Sequence, residues 1–495
     1  MVILYHPRSA RARFRLPMSL LALAGHLHPH HKVVIVDANL CYDPLTELRR
    51  HLREATGPCV LAVTVMPGPQ LSRAIPHSRI LKAEFPHIPL VWGGWFPSLH
   101  TETCLRSSFV DYVVRGRADG MIVALISGIL SGQDVTHLPN LSFRVGSGFQ
   151  HNPEGPLLHP DTLPPWPLDL APPERYLSPT YLGSRTTAYH SSYGCPLRCG
   201  FCAVAAQYQG RWLSESVSHM MPNLEALFAR GANGVEFCDN NFFVSEKRCD
   251  EFAEAMAGRG VGWWGEGTVE DLLSYNTSTL TRMYKSGLKM LFFGMESGDD
   301  DALRLMNKGR LEGKMALELA TRFKEVGIVP EFSFCLGTPP NPSEGITKSI
   351  DLIRRIKAIN PRAEIILYIY SPEPFLSADL WSQTRNAGFK HPTTLDEWET
   401  GGYDLLSVRR QVENPWLTAR EVQHIYEFEA VLTAQYPSVS DLDVGPWARR
   451  GLRVASAFRY HTRTYRHPWE LKALLKLAKL RHIEEEGFPP VSNPG

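Results

Sequence analysis

Two stretches of this chain alternate short β-branched runs with helix-compatible segments, and that alternation limits the fold more than any other feature. Over residues 1 to about 145 the runs are Met1-Val2-Ile3-Leu4-Tyr5, Val33-Val34-Ile35-Val36-Asp37, Val60-Leu61-Ala62-Val63-Thr64-Val65, Leu90-Val91-Trp92 and Tyr112-Val113-Val114. Helices are expected between them over 44–55, 70–85 and 118–131. Runs this continuous read as parallel strands buried on both faces. They predict an α/β, doubly wound (Rossmann-like) domain over 1–145, with its ligand crevice beyond the strand carboxyl ends. From about 184 to 386 the alternation returns more regularly, with strands expected near 188–192, 234–238, 262–265, 290–294, 331–335 and 364–370. Six β/α units predict a partial barrel whose site lies on the loops after the strands.

Between the two stretches, residues 146–183 hold nine prolines from Pro153 to Pro179. Proline removes backbone donors and favours extended chain. With Leu163, Trp166, Leu168, Leu170 and Tyr176 interleaved, the segment is expected to be a strap packed on both domains. Residues 387–495 lack the alternation and predict a mostly helical C-terminal domain, frayed from Gly487 onward. Its arginines, from Arg449 to Arg466, are expected to form a solvated helix face with aliphatic core contacts rather than a membrane-binding one.

The chemistry concentrates in Ser192-Tyr193-Gly194-Cys195-Pro196-Leu197-Arg198-Cys199-Gly200-Phe201-Cys202, a C-x3-C-x2-C spacing on one short loop. Three thiolates in one loop leave one coordination position of an inorganic centre open, whereas four would close it. The other cysteines are scattered and nine in all, an odd number that suits a reducing, cytoplasmic setting better than a disulfide framework. Net charge is +1, which gives no global field toward nucleic acid. No apolar run reaches the ~18 residues of a membrane span.

The barrel places further polar segments at strand ends: Asp239-Asn240-Asn241 after the second, Glu296-Ser297-Gly298 after the fourth and Gly337-Thr338-Pro339 after the fifth. The first two are equally good helix caps when taken singly. In the first domain the strand ends carry Met66-Pro67-Gly68, Gly93-Gly94-Trp95-Phe96-Pro97 and Arg115-Gly116. Glycines there let backbone approach a ligand closely.

The cysteine loop, with an aromatic residue before its last cysteine, resembles the cluster loop of radical S-adenosylmethionine (SAM) enzymes. The segments around Leu16–Leu23, Asp37, Gly93-Gly94 and Asp111–Gly116 resemble the N-terminal domain of their cobalamin (B12)-binding members. The resemblance implies a [4Fe-4S] cluster on Cys195, Cys199 and Cys202. It implies SAM contacts from Phe201, Asp239, Asn240, Glu296, Ser297 and Gly337, and cobalamin contacts from Met66, Gly68, Gly93, Gly94, Pro97, Arg115 and Gly116. Departures are Phe96 where histidine is common, Arg117-Ala118-Asp119-Gly120 where an acidic segment is common, no Asp-x-His-x-x-Gly motif, and no arginine near Gly265–Glu270.

The function this implies is reductive cleavage of SAM, hydrogen abstraction by the 5′-deoxyadenosyl radical, and methyl transfer from methylcobalamin to an unactivated carbon. A non-methylating cyclase or rearrangement enzyme with the same cofactors is the alternative. A tRNA methylthiolation enzyme and a closed zinc or iron site using Cys238 fit less well. Expected partners are a natural-product or lipid-like small molecule and an electron donor such as flavodoxin or ferredoxin, with no nucleic acid. Trp381, Trp398 and Trp416 are candidates for specificity.

Overall fold

A computed structural model describes residues 1–9, 14–371, 378–400, 414–440 and 444–478; the Trp381 side chain and the tail from Gly487 lie outside them. The first sheet contains β1 Val2–His6, β2 Val33–Asp37, β3 Val60–Thr64, β4 Leu90–Gly93, β5 Tyr112–Val114, β6 Leu141–Val145 and β7 Gly148–His151, in the order β2-β1-β3-β4-β5-β6-β7. Strands β1 to β5 are parallel, β6 pairs antiparallel to β5, and β7 pairs antiparallel to β6. Along β1 the side chains alternate between two cores, Ile3 and Tyr5 on one face and Val2 and Leu4 on the other. This two-sided burial is why the strands read as unbroken apolar runs. The sheet therefore continues through His151, so residues 146–151 belong to a hairpin and not to the strap.

The proline-rich strap packs as expected. Pro164 and Pro165 lie where a Cβ on Gly25 would be. Leu170 packs on one face of the first sheet, while Tyr176 sits in the core of the second domain. Asp161 accepts from the Ser216 amide at 2.8 Å, and Arg230 pairs with Asp169 and Glu174.

The second sheet is fully parallel. Its strands are β8 Thr186–Tyr189, β11 Gly234–Phe237, β12 Gly262–Gly267, β13 Leu288–Glu296, β14 Val329–Leu336 and β15 Glu364–Ile369, in the order β15-β14-β13-β12-β11-β8. Two short strands, β9 Ser192–Gly194 and β10 Trp212–Ser214, form a separate antiparallel ribbon. Ser178 bridges antiparallel to Thr186 at the β8 edge, and the Val439 amide donates to Glu364 at the β15 edge.

The C-terminal helices 419–435, 446–462 and 469–477 pack inward through Phe428, Leu452, Tyr460 and Leu471. Three of the six arginines from Arg449 to Arg466 are engaged within the protein in this way: Arg449 with the Ser438 carbonyl, Arg459 with Glu470, Arg463 with Asp351. The outer face is more apolar than expected, with Trp447, Phe458 and Trp469 exposed at 81, 72 and 75%. Trp398 is not at the barrel mouth. It sits in the core of the first domain, edge-on to Phe96 and His100. No described helix is long and apolar enough to cross a membrane.

Candidate active site

The cysteine loop starts from the β9–β10 ribbon rather than directly from the first barrel strand. Gly194 ends β9 with φ +83°, and a Cβ there would lie 2.1 Å from the Arg211 carbonyl oxygen. Only glycine lets the ribbon close against the turn that launches Cys195. The loop is then tied to a second segment: the Gly200 amide donates to the Met306 carbonyl at 2.7 Å, and Asn307 Nδ2 to the Arg198 carbonyl at 2.7 Å.

The three thiols lie near enough to feel one another's charge, and burial pushes Cys199 up to about 12 and raises Cys195. Among the described residues no three His, Cys, Asp or Glu side chains gather tightly enough to hold a single ion. A cluster places each thiolate on a different iron, so a wider trio fits it. A closed four-ligand zinc site completed by Cys238 does not fit.

Beneath the loop lies a buried polar scaffold. Asp239 is wholly buried and accepts from the Ser191 amide (2.7 Å), the Ser191 hydroxyl (2.7 Å) and the Ser192 hydroxyl (2.6 Å). Arg248, also buried, donates to the Ser191 hydroxyl at 2.6 Å and the Glu215 carbonyl at 2.8 Å. The carboxylate of Asp239 is thus taken up in holding the chain that leads into the cysteine loop, which differs from the SAM contact expected of it. Its neighbour Asn240 is half-buried and makes no hydrogen bond with a described residue. Asn241 is buried, donates to Asp271 at 2.9 Å and lies 3.9 Å from Cys195 Sγ.

Glu296 ends β13 at φ +61° and pairs with Lys308 at 2.8 Å. The Lys308 ammonium stands 5.5 Å from the centre of the Phe201 ring. Burial pulls the Lys308 pKa down, but Glu296 and then Cys199 outweigh it, and the net shift is upward. Lys308 belongs beside the cysteines and was missed as a site residue; its signal was the Met306-Asn307-Lys308-Gly309 run. Ser297 and Gly337 meet in one cleft of about 210 Å³, together with Asp299, Thr338, Asn341 and Gln383. Trp416 donates to the Gly337 carbonyl at 2.8 Å, which places this tryptophan at the cleft.

In the first domain Met66, Gly68, Gly93 and Gly94 line the carboxyl edge of the sheet. A Cβ on Gly94, at φ +101°, would lie 2.9 Å from the Val65 carbonyl. Pro97 and Phe96 are buried, with Phe96 stacked on His100 at 4.6 Å, so neither faces an open edge. Arg115 turns away to the Asn152 carbonyl, while the Gly116 amide donates to Ser98 at 2.8 Å. The Met66–Gly68 and Gly93–Gly94 loops and Gly116 thus leave a backbone-lined edge that suits a large flat cofactor, without Arg115 or Pro97.

This edge abuts the cysteine loop. The Arg117 guanidinium lies 3.4 Å from the centre of the Tyr193 ring, two residues before Cys195. Trp95 meets Tyr208 edge-on at 6.2 Å. Arg15, also from the first domain, reaches Glu236 at 3.0 Å.

Comparison with known proteins agrees with this arrangement. The B12 binding domain family matches residues 15–126, and the radical SAM superfamily matches residues 189–384. An uncharacterized methyltransferase of Pyrococcus horikoshii is 23% identical over 69% of this chain and 73% of its own. An anaerobic magnesium-protoporphyrin IX monomethyl ester cyclase of Synechocystis is 22% identical over 59% of each. The fold is shared with the radical SAM methyltransferase TsrM of Kitasatospora setae, solved with cobalamin and a [4Fe-4S] cluster (TM-score 0.67, 15% identity, 97% of this chain and 99% of that one). It is shared also with OxsB bound to aqua-cobalamin (TM-score 0.66, 14% identity, 98% and 76%). With a B12-binding domain and a radical SAM domain in that order and docked edge to edge, the chain belongs to the cobalamin-binding radical SAM family.

Proposed function

We propose that this protein is a cobalamin-dependent radical SAM methyltransferase acting on an unactivated carbon of a small molecule. The observation that carries the reading is the abutment of the two ligand edges, with Arg117 stacked on Tyr193 at the entrance to the cysteine loop. Cys195, Cys199 and Cys202 would hold the cluster, and the Gly93–Gly94 edge would hold the cobalamin. When bound, the cluster supplies the electron that cleaves SAM to a hydrogen-abstracting deoxyadenosyl radical, and methylcobalamin supplies the methyl group.

The chain's own residues supply order and exclusion. Asp239, Ser191 and Arg248 fix the base of the loop, and the Lys308–Glu296 pair places a positive charge beside Phe201 and the thiolates. Ser297 and Gly337 line a cleft of a size for the nucleoside of SAM, with Asn240 free to donate nearby. Tyr193, Tyr208 and Trp95 close the seam between domains against water, which a radical reaction requires. The names of the Pyrococcus relative and TsrM support methylation, and an external one-electron donor is needed.

Anaerobic reconstitution tests this. Cobalamin and cluster absorption, with 5′-deoxyadenosine and S-adenosylhomocysteine formed under reductant, are expected. Cys199→Ala should keep its melting temperature and cobalamin while losing SAM cleavage; loss of fold instead would mean a structural site. The cyclase relatives favour a second reading, oxidative ring closure, which product mass separates from methylation.

A further inference from the structure

The inner face of the barrel holds groups that the cluster and SAM segments do not use. Alternation sends Val235, Phe237, Trp263, Phe293 and Phe332 outward into the helix-packed core. The residues between them point inward, and Glu236, Trp264, Glu266, Phe292 and Glu331 are all only partly buried. Closed barrels fill their interior with side chains. Here solvent reaches the inner face, so the lumen is a chamber.

Its walls are aromatic and its charge is negative. Trp264 and Phe292 lie with ring centres 6.3 Å apart. The strand register sets Glu266 beside Phe292, and Phe292 beside Glu331. Of the three carboxylates, Glu236 pairs with Arg15 at 3.0 Å and Glu331 accepts from Trp264 Nε1 at 3.0 Å. Glu266 receives no hydrogen bond from a described residue, though protein surrounds it closely enough that burial raises its pKa to about 7, against the pull of Arg15. Glu266 stands one residue before the carboxyl end of β12, just below the reaction mouth. A desolvated carboxylate without a partner is costly unless a cation meets it.

We propose that this chamber is the substrate site and takes an aromatic molecule bearing a protonated amine or amidine, its cationic nitrogen on Glu266 and its ring against Trp264 and Phe292. The assignment rests on the functional reading above for the reaction, but not for the binding step. With three carboxylates facing one guanidinium, the chamber attracts cations and repels anionic ligands of the same shape.

Calorimetric binding to the full-length, cofactor-reconstituted protein tests it with two probes that share a phenethyl body and differ in charge, phenethylamine and 3-phenylpropionate. The amine is expected to bind at least about tenfold more tightly, a charge-assisted hydrogen bond being worth that much. Glu266→Gln should cut the preference about tenfold, Glu236 and Glu331 remaining to attract the cation, Glu266→Asp should keep it, and Arg15→Gln should strengthen amine binding. Equal binding of the two probes, no binding of the amine, or a preference undiminished in Glu266→Gln would overturn the assignment. Absorption of both cofactors on the same samples reports separately on the functional reading: if it is missing while the amine preference holds, that reading falls and the chamber stands.

Discussion

Replacing Asp239 with asparagine separates two roles for this carboxylate that the sequence leaves equivalent. In the folded protein it accepts three hydrogen bonds of 2.6–2.7 Å from Ser191 and Ser192 while fully buried. Asparagine keeps one acceptor, enough for the Ser191 amide, and turns an NH2 toward the two hydroxyls. Hydrogen bonds to a charged group contribute about 1.5–3 kcal/mol each. Two are lost, and the hydroxyls recover part by rotating to accept instead. A net loss of about 3 kcal/mol follows, or roughly 6–12 °C of melting temperature for a domain this large. Iron content after anaerobic reconstitution should drop, because the chain entering the cysteine loop is no longer fixed, whereas the KM for SAM in the loaded fraction should be unchanged. A variant with full iron, an unaltered melt and a raised KM for SAM would refute this and make Asp239 a direct SAM contact.

Gly194→Ala should fail in cluster incorporation: its Cβ would start 2.1 Å from the Arg211 oxygen. The left-handed backbone adds about 1–2 kcal/mol of strain. Iron quantitation checks it, and normal loading would refute the tight ribbon. Glu215 is raised by burial from 4.5 to about 8, although Tyr189 donates to it. Between those values the folded state holds a proton that the unfolded chain has released, so stability falls as pH rises through that window. The loss is about 2–4 kcal/mol. Glu215→Gln should flatten the dependence in denaturant melts at pH 5, 6.5 and 8. Arg117→Ala removes the stack on Tyr193, worth about 1–2 kcal/mol. It should leave iron and cobalamin content intact but increase protease cleavage in the strap.

The parallel strands were legible because burial on both faces demands continuous β-branched runs; all five in the first sheet and five of six in the second lie where the runs predict, while β8 starts and ends two to three residues earlier than expected, Ser192 belonging to β9. Strands β6 and β7 were not, since an antiparallel hairpin at a sheet edge reads as Arg144, Gly146, Gln150 and other polar residues mixed with few apolar ones. Within the site, the cysteine spacing is read directly off the chain, and the convergence of Ser297 with Gly337 follows from strand order. Direction does not. Nothing in the sequence tells whether Asp239 points toward the mouth or toward Ser191, whether Arg115 faces the sheet edge or Asn152, or that Trp398 packs into a domain some 300 residues earlier in the chain.

The two ends of the barrel sheet meet segments from elsewhere: Ser178 of the strap at β8, and Val439 of the C-terminal region at β15. This six-stranded sheet does not close on itself, since β15 and β8 do not pair, and bare strand edges recruit other chains. Flanking segments therefore serve as the missing staves of this barrel. A fragment trimmed to the radical SAM match alone, residues 189–384, would cut into β8 and strip both covers. The catalytic core is therefore not a portable module, and swapping its flanks between relatives means refitting two sheet edges.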